Sequence, residues 1–390
     1  MIGRERIKKM ILGQWFGKIV GDSEADVLVS VDRIKEDKYG SISISPNDST
    51  AFPAIARITF DEVTQLMIRG RVDLFLGFSE AGVIIPQNND KFQLSREGNF
   101  QLDVKRKNSS EFDLVGKWNT DLNYKGSITL RKVKEPNAES IIEVITWEKF
   151  KRLISDPIKY KWGVTYFRGQ DDSRYPLQTF FHRKGCWDLY RYYREIIPEL
   201  FDHLGVLNNT RYPTTGGADF GSPLLLAQHH GFPTPLLDWS LSPYVAAFFA
   251  FWENSILQNT RSVRVFAFHT ERWEKEQPGR VLGDLITPGI TVKPLNIPLA
   301  GNKRAVAQSA RSIFSSVENI ENILKWAEFQ RTSDRGMPDP YFDYFDIDIA
   351  DKETALYDLQ SMNITKLSML PELSVACEIL GKKYFGGNNP

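Results

Sequence analysis

Only two cysteines, Cys186 and Cys377, occur in 390 residues. That is too few for a disulfide framework. With no metal-ligand spacing, both read as small buried hydrophobes in a reduced interior. Net charge is missing as well, because 49 basic and 49 acidic side chains cancel. No global field draws the chain to nucleic acid or anionic lipid, and only a local basic patch could do so. Long apolar runs are also absent. The most apolar window, 241–257, carries Pro243 and Glu253 and falls short of the roughly 20 residues a membrane span requires. The opening MIGRERIKKMILGQWFG holds no apolar stretch long enough for a signal peptide. Together these absences lead to the expectation of a cytoplasmic protein with no membrane partner. There is no internal repeat and no low-complexity tract, and nothing in the sequence fixes an oligomeric state.

What is present is ample apolar material. With 42% hydrophobic and 12% aromatic residues, the chain can bury a sizeable core divided between two domains. Residues 11–133 read as strands. QWFGKIVG, ADVLVSVDRI, GSISISP, AIARITF, VDLFLGF and AGVIIP are short, β-branched and bounded by Gly, Asp, Asn or Ser. Their spacing predicts a sandwich or a barrel. Val27, Val29 and Val31 alternate with Leu28 and Ser30, so that strand is expected to be covered on both faces. Gly13-Gln14-Trp15 and Gly116-Lys117-Trp118 echo one another, loosely like the Gly-x-Trp openings and closures of small up-and-down barrels; a Trp there can equally plug one end of a sheet. VKEPNAES, 133–140, reads as a linker. Beyond it, helical patterns at 148–155, 187–205, 243–256, 317–330, 352–362 and 372–381 alternate with strands such as VTYFRG and SVRVFAFHT. The expected architecture is α+β overall: an all-β barrel or sandwich over 1–138, then a mixed α/β domain over 139–390, with a frayed tail at 386–390.

Three polar groupings mark the second half. In WGVTYFRGQ, Val164, Tyr166 and Arg168 share one face of a strand, with Thr165 and Phe167 on the other. Arg168 followed by Gly169 and Gln170 suits an anion clamp, the glycine admitting a ligand and the guanidinium matching a phosphate; the competing reading pairs Arg168 with an internal carboxylate. In LLLAQHHGFPTPLLDWSLSPYVAAFFAFW, Gln228, His229 and His230 end a helix at Gly231. Pro233 and Pro235 around Thr234 hold the chain extended, Asp238-Trp239-Ser240 lies on a buried strand, and Ser242-Pro243 opens an apolar helix whose free N–H groups favour anions. Ordinary capping and partly buried histidines explain the same residues without a ligand. Adjacent histidines cannot face one zinc ion from one side of a helix, and no Cys or carboxylate completes a set, so no metal site is expected. In GNKRAVAQSARSIF, Arg304 and Gln308 follow Asn302 at helical spacing, either around a ligand or on a solvated face. The aspartates of YFDYFDIDIAD are less promising. Asp346 and Asp348 alternate with Phe345 and Ile347, as on the exposed face of an edge strand.

Taken in order, these pieces resemble the FRG-domain family, named for Phe-Arg-Gly, here Phe167-Arg168-Gly169. The likeness continues through Ala227-Gln228-His229-His230-Gly231, Thr234-Pro235-Leu236-Leu237-Asp238-Trp239-Ser240, Asn302 to Gln308 and Leu370-Pro371-Glu372-Leu373, covering about 145–384. It implies a family widespread in bacteria and phages, with little settled biochemistry. The order is also similar to that of ADP-ribosyltransferases, where an arginine holds NAD, a Ser-Thr-Ser-like strand shapes the nicotinamide pocket and a late glutamate supports catalysis. Cleaving the nicotinamide–ribose bond develops an oxocarbenium-like cation, so a site must anchor pyrophosphate, clamp the amide and hold a polar group near the cation. By that likeness Arg168, Asp238, Ser240 and Gln308 would be the catalytic set. Tyr166, Phe167, Gly169, Gln170 and Trp239 would hold the cofactor NAD from one side, and His229, His230, Thr234 and Arg304 from the other. The chain departs from the pattern in two places. Ser240 is a single serine after Asp238-Trp239, and Gln308, which cannot act as a base, stands where the late acid belongs. Asp238 or Glu328 would have to supply the carboxylate. Two functions follow as expectations: a toxin or antiphage effector that transfers or hydrolyses ADP-ribose, with a macromolecular target; or a non-catalytic module for a nucleotide or protein, with the β-rich half as sensor or interaction domain.

Overall fold

The computed structural model describes residues 10–32, 39–47, 53–78, 84–85, 95–108, 111–132, 143–212, 221–252, 260–277, 289–297, 303–335 and 339–385. The expected linker 133–140, the tail 386–390 and Asn302 lie outside them.

Alternation of apolar and polar residues builds the first half. Its strands are β1 (Gly13–Gly21), β2 (Ala25–Val31), β3 (Tyr39–Pro46), β4 (Ala54–Val63), β5 (Met67–Phe78), β6 (Ile84–Ile85), β7 (Glu97–Arg106), β8 (Phe112–Thr120) and β9 (Lys125–Lys132). All pairings are antiparallel. β1 pairs with β9 and β4 with β5, which closes eight strands into a barrel with the two-residue β6 appended to β5. Of the two architectures expected, the barrel is the one formed. The period of two sends Trp15, Val27, Val29, Ile42, Ile58, Ile68 and Leu114 inward to a shared apolar core.

The second half is a seven-stranded mixed sheet in the order β10-β16-β13-β11-β12-β15-β14. Its strands are β10 (Val144–Ile145), β11 (Thr165–Gln170), β12 (Leu236–Ser240), β13 (Ser262–His269), β14 (Val292–Leu295), β15 (Ala310–Ser315) and β16 (Phe342–Asp348). The α-helices of five residues or more are α1 (Trp147–Ile154), α2 (Ile197–Asn208), α3 (Gly221–His229), α4 (Pro243–Trp252), α5 (Thr270–Glu276), α6 (Lys303–Ala307), α7 (Ile320–Arg335), α8 (Lys352–Ser361) and α9 (Leu373–Phe385). One sheet face packs on α1, α4 and α8 through Phe167, Val265, Phe248, Phe251 and Leu359. The other packs on α5 and α7 through Tyr166, Trp239, Phe268, Trp273 and Leu324.

The halves are joined by more than the chain. β2 is covered on both faces, as its sequence predicts: Val27 and Val29 face the barrel core, whereas Leu28 is buried in the apolar cluster of the second half that also holds Trp239 and Phe268. Buried Gln14 donates to the Ser316 carbonyl at 2.8 Å and accepts from the Glu318 amide at 2.8 Å. The Asp32 carboxylate accepts the amide N–H groups of Trp187 and Asp188 and lies 3.5 Å from Arg191.

Two expectations need correction. β16 is not an edge strand, because β10 and β13 flank it. Asp346 is therefore buried, and its two oxygens accept from Arg264 at 2.6 and 2.8 Å. Asp348 accepts from the Ala350 amide instead of joining an acidic cluster. Neither cysteine is fully buried: Cys377 is exposed and Cys186 is half-buried. Among the described residues no group of three His, Cys, Asp or Glu side chains could hold a metal ion, and no helix is long and apolar enough to cross a membrane.

Candidate functional site

The short strand β12 organises the polar residues. Leu237 and Trp239 turn to the α7 side, so Leu236, Asp238 and Ser240 must turn to the other. There β12 meets the C-terminal end of α3. Gln228 of α3 donates to the Asp238 carboxylate at 2.6 Å, and the Gln228 carbonyl oxygen accepts from the hydroxyl of wholly buried Thr234. The extended Pro233–Pro235 segment is what places Thr234 at this point.

Ser240 ends the strand and begins the turn into α4. Its hydroxyl donates to the Gln308 carbonyl at 2.7 Å and accepts from the Ser242 amide at 3.0 Å. Ser242 caps α4 by accepting from the Val245 amide at 3.3 Å, with Pro243 as the first helical residue. Gln308 follows α6, and its amide donates to the Met369 carbonyl at 2.9 Å. Arg304, also on α6, lies 3.8 Å from Glu372. The pieces 228–240, 304–308 and 369–372, distant in sequence, thus converge at the end of β12.

His229 is half-buried in this group. Burial pushes its pKa below the ordinary value; Arg304 and His230 push the same way, and Asp238 and Glu372 oppose them. The imidazole is therefore neutral at pH 7. Arg183, on the short turn Phe180–Arg183, is within electrostatic reach of Asp238. The arrangement offers a fixed carboxylate, a neutral imidazole and two guanidinium groups.

Arg168 reaches the same strand from elsewhere. Phe167 lies opposite Ser240 in the β11–β12 register, so Phe167, Asp238 and Ser240 share one face, whereas Tyr166, Arg168 and Trp239 share the other. The Arg168 guanidinium donates to the Asp238 main-chain carbonyl at 2.5 Å. It holds the backbone that presents Asp238, with its side chain on the opposite face from that carboxylate. Gly169 is required by packing: a Cβ there would sit 1.9 Å from the Ala246 carbonyl oxygen, so α4 rests directly on β11. Tyr166, Phe167 and Trp239 are all under a tenth exposed and belong to the apolar core; Trp239 stacks on Phe342 with centroids 6.0 Å apart. Gln170 donates to the Pro176 carbonyl at 3.3 Å. His230 is exposed beside His229. Glu328 is not part of the site, since it accepts from the Tyr341 amide under α7.

Reasoning from sequence missed Gln228 as the residue that fixes Asp238, Glu372 as the partner of Arg304, and Arg183. The first two stood inside quoted motifs. Arg183 carried no local signal.

Residues 164–258 match the family model of the FRG domain. No curated protein matches the chain. Among solved structures, the redesigned β-barrel mFAP1, bound to DFHBI, is similar at 9% identity and a TM-score of 0.22, over 33% of this chain and 99% of that one. A second redesigned β-barrel, b11L5F_LGL, is similar at 10% identity and a TM-score of 0.22, over 33% of this chain and 96% of that one. A fluorescence-activating β-barrel designed de novo is similar at 12% identity and a TM-score of 0.20, over 32% and 96% of the two chains.

Proposed function

On the premise that residues 164–258 form an FRG domain, we propose that the group at the end of β12 recognises a nucleotide, with NAD as the ligand class it suits best, and that the barrel is its sensor domain. The observation that carries this reading is the Asp238 carboxylate, fixed by Gln228, with Arg183 in electrostatic reach of it, beside a neutral His229 that Arg304 also reaches. A fixed carboxylate accepts ribose hydroxyls, and guanidinium groups bind pyrophosphate oxygens. Recognition is favoured over ADP-ribosyl transfer for a geometric reason. Ser240 and Gln308 are engaged with main-chain groups, and the Arg168 side chain stands on the other sheet face.

A second reading, hydrolysis of NAD, rests on His229. A neutral imidazole near a carboxylate is suited to take a proton from water as that water attacks the anomeric carbon and nicotinamide leaves. A toxin or defence role, and a macromolecular target, would enter only with that chemistry.

Titration calorimetry with NAD and with ADP-ribose tests both. Recognition predicts saturable binding that falls at least tenfold in Asp238→Asn and Arg304→Ala, without nicotinamide release. Release that disappears in His229→Ala, together with toxicity on expression relieved by the same change, would establish hydrolysis. Absence of binding by either compound at millimolar concentration would overturn both readings.

A further inference from the structure

The barrel is closed, yet its inside is not full. A cavity of 780 Å³ runs through it, within the size range of sites for small molecules. An eight-stranded barrel is wide enough either to be filled by its own side chains or to hold one small guest. Here the inward positions include Ala25, Ala54 and Gly98, where larger residues would have filled the space. An apolar hollow of this size weakens a fold that does not use it.

The lining is graded from one end to the other. Ile11 and Trp15 close the floor, with the Trp15 indole N–H donating to the Ile11 carbonyl at 2.9 Å and its ring 5.2 Å from that of Phe112. The walls are aliphatic and aromatic, including Val29, Ile42, Ile58, Phe60 and Phe75. The opposite rim is polar, with Asn47, Asn99, Asn119 and Tyr124. Two charged residues line the cavity, Asp22 and Glu24, both acidic and both at this rim; the described lining has no Lys or Arg. A carboxylate entering by this rim would lose its hydration, find no cation among the described rim residues and meet two negative charges.

We infer that the barrel binds one neutral, largely apolar small molecule, with its body between Trp15 and Phe60 and any hydrogen-bonding end among the rim amides. Fatty-acid anions are disfavoured by the charge of the rim. The site is separate from the one at the end of β12 and does not depend on its assignment.

The test uses the full chain with two fluorescent probes, neutral N-phenyl-1-naphthylamine and anionic cis-parinaric acid. Trp15 and Trp118 both line the cavity and report entry by energy transfer. The neutral probe should saturate at one per chain and raise the melting temperature with its concentration. Ile44→Trp, which fills the cavity, should weaken it at least tenfold, and Val72→Phe serves if that variant does not fold. The anion should bind at least tenfold more weakly than the neutral probe and recover in Glu24→Lys. No saturable binding, binding untouched by either filling variant, or equal affinity for the two probes would overturn the inference.

Discussion

Asp188 and His182 are buried ionisable residues whose contributions to stability run in opposite directions with pH. Burial pushes the His182 imidazole down to about 3, against the opposing pull of a hydrogen bond to the Ser316 backbone. Between pH 6.5 and that value the unfolded chain takes up a proton that the folded chain refuses, so this residue makes stability fall as pH falls. Burial next to Asp32 pushes the Asp188 carboxyl up to about 7. From roughly pH 4 to 7 the folded chain keeps a proton that the unfolded chain releases, so this residue makes stability fall as pH rises. In the wild type the two slopes oppose one another. Asp188→Asn keeps a side-chain oxygen to accept the Arg191 amide and removes one slope. Relative to wild type, the stability of the variant should gain as pH rises from 4 to 7, reaching an advantage of about 1–3 kcal/mol at pH 8. Melting curves across that range check the sign. Arg264 and Asp346 illustrate the opposite case, a buried pair in which each charge satisfies the other through two bonds. Only the tertiary pairing of β13 with β16 brings them together, and for that reason the alternation around Asp346 suggested an exposed face.

At the level of elements, local signals were accurate where they were strong. Short β-branched runs bounded by turn residues marked β1 to β5, and Ser242-Pro243 placed the start of α4 at the residue where the cap is found. Removing that cap in Ser242→Ala should cost about 1 kcal/mol in chemical denaturation, within the usual range for such caps, and should leave nucleotide binding intact. Barrel closure was not legible, since β1–β9 and β4–β5 pair strands whose contacts no window of sequence reveals. The same limit applied to the site. The motif order brought 228–240, 304–308 and 369–372 onto one list, and the structure brings them to one place. The faces of β11 and β12, by contrast, depend on a register that only the folded sheet fixes. Gly169 was read as making room for a ligand, but it makes room for α4.

Across the whole molecule, β2 and β3 belong to both halves at once. Val29 and Ile42 line the cavity, while their neighbours Leu28 and Ser43 reach the second half, Leu28 as a member of the apolar cluster that also holds Trp239 and Ser43 by accepting the Gly289 amide. Trp239 is the residue between Asp238 and Ser240. A guest that presses these strands outward therefore presses on the cluster that holds Trp239, and so on the strand that carries the proposed nucleotide site. Binding free energies at the two places must then be reciprocal: whatever factor the naphthylamine imposes on NAD affinity, NAD imposes on the naphthylamine. Calorimetry of each compound with and without the other measures that factor, and Gln14→Ala, which strands the Ser316 carbonyl and the Glu318 amide, should bring it toward one. The wall of the barrel would then act as a lever, with the pleat of a single strand as its fulcrum.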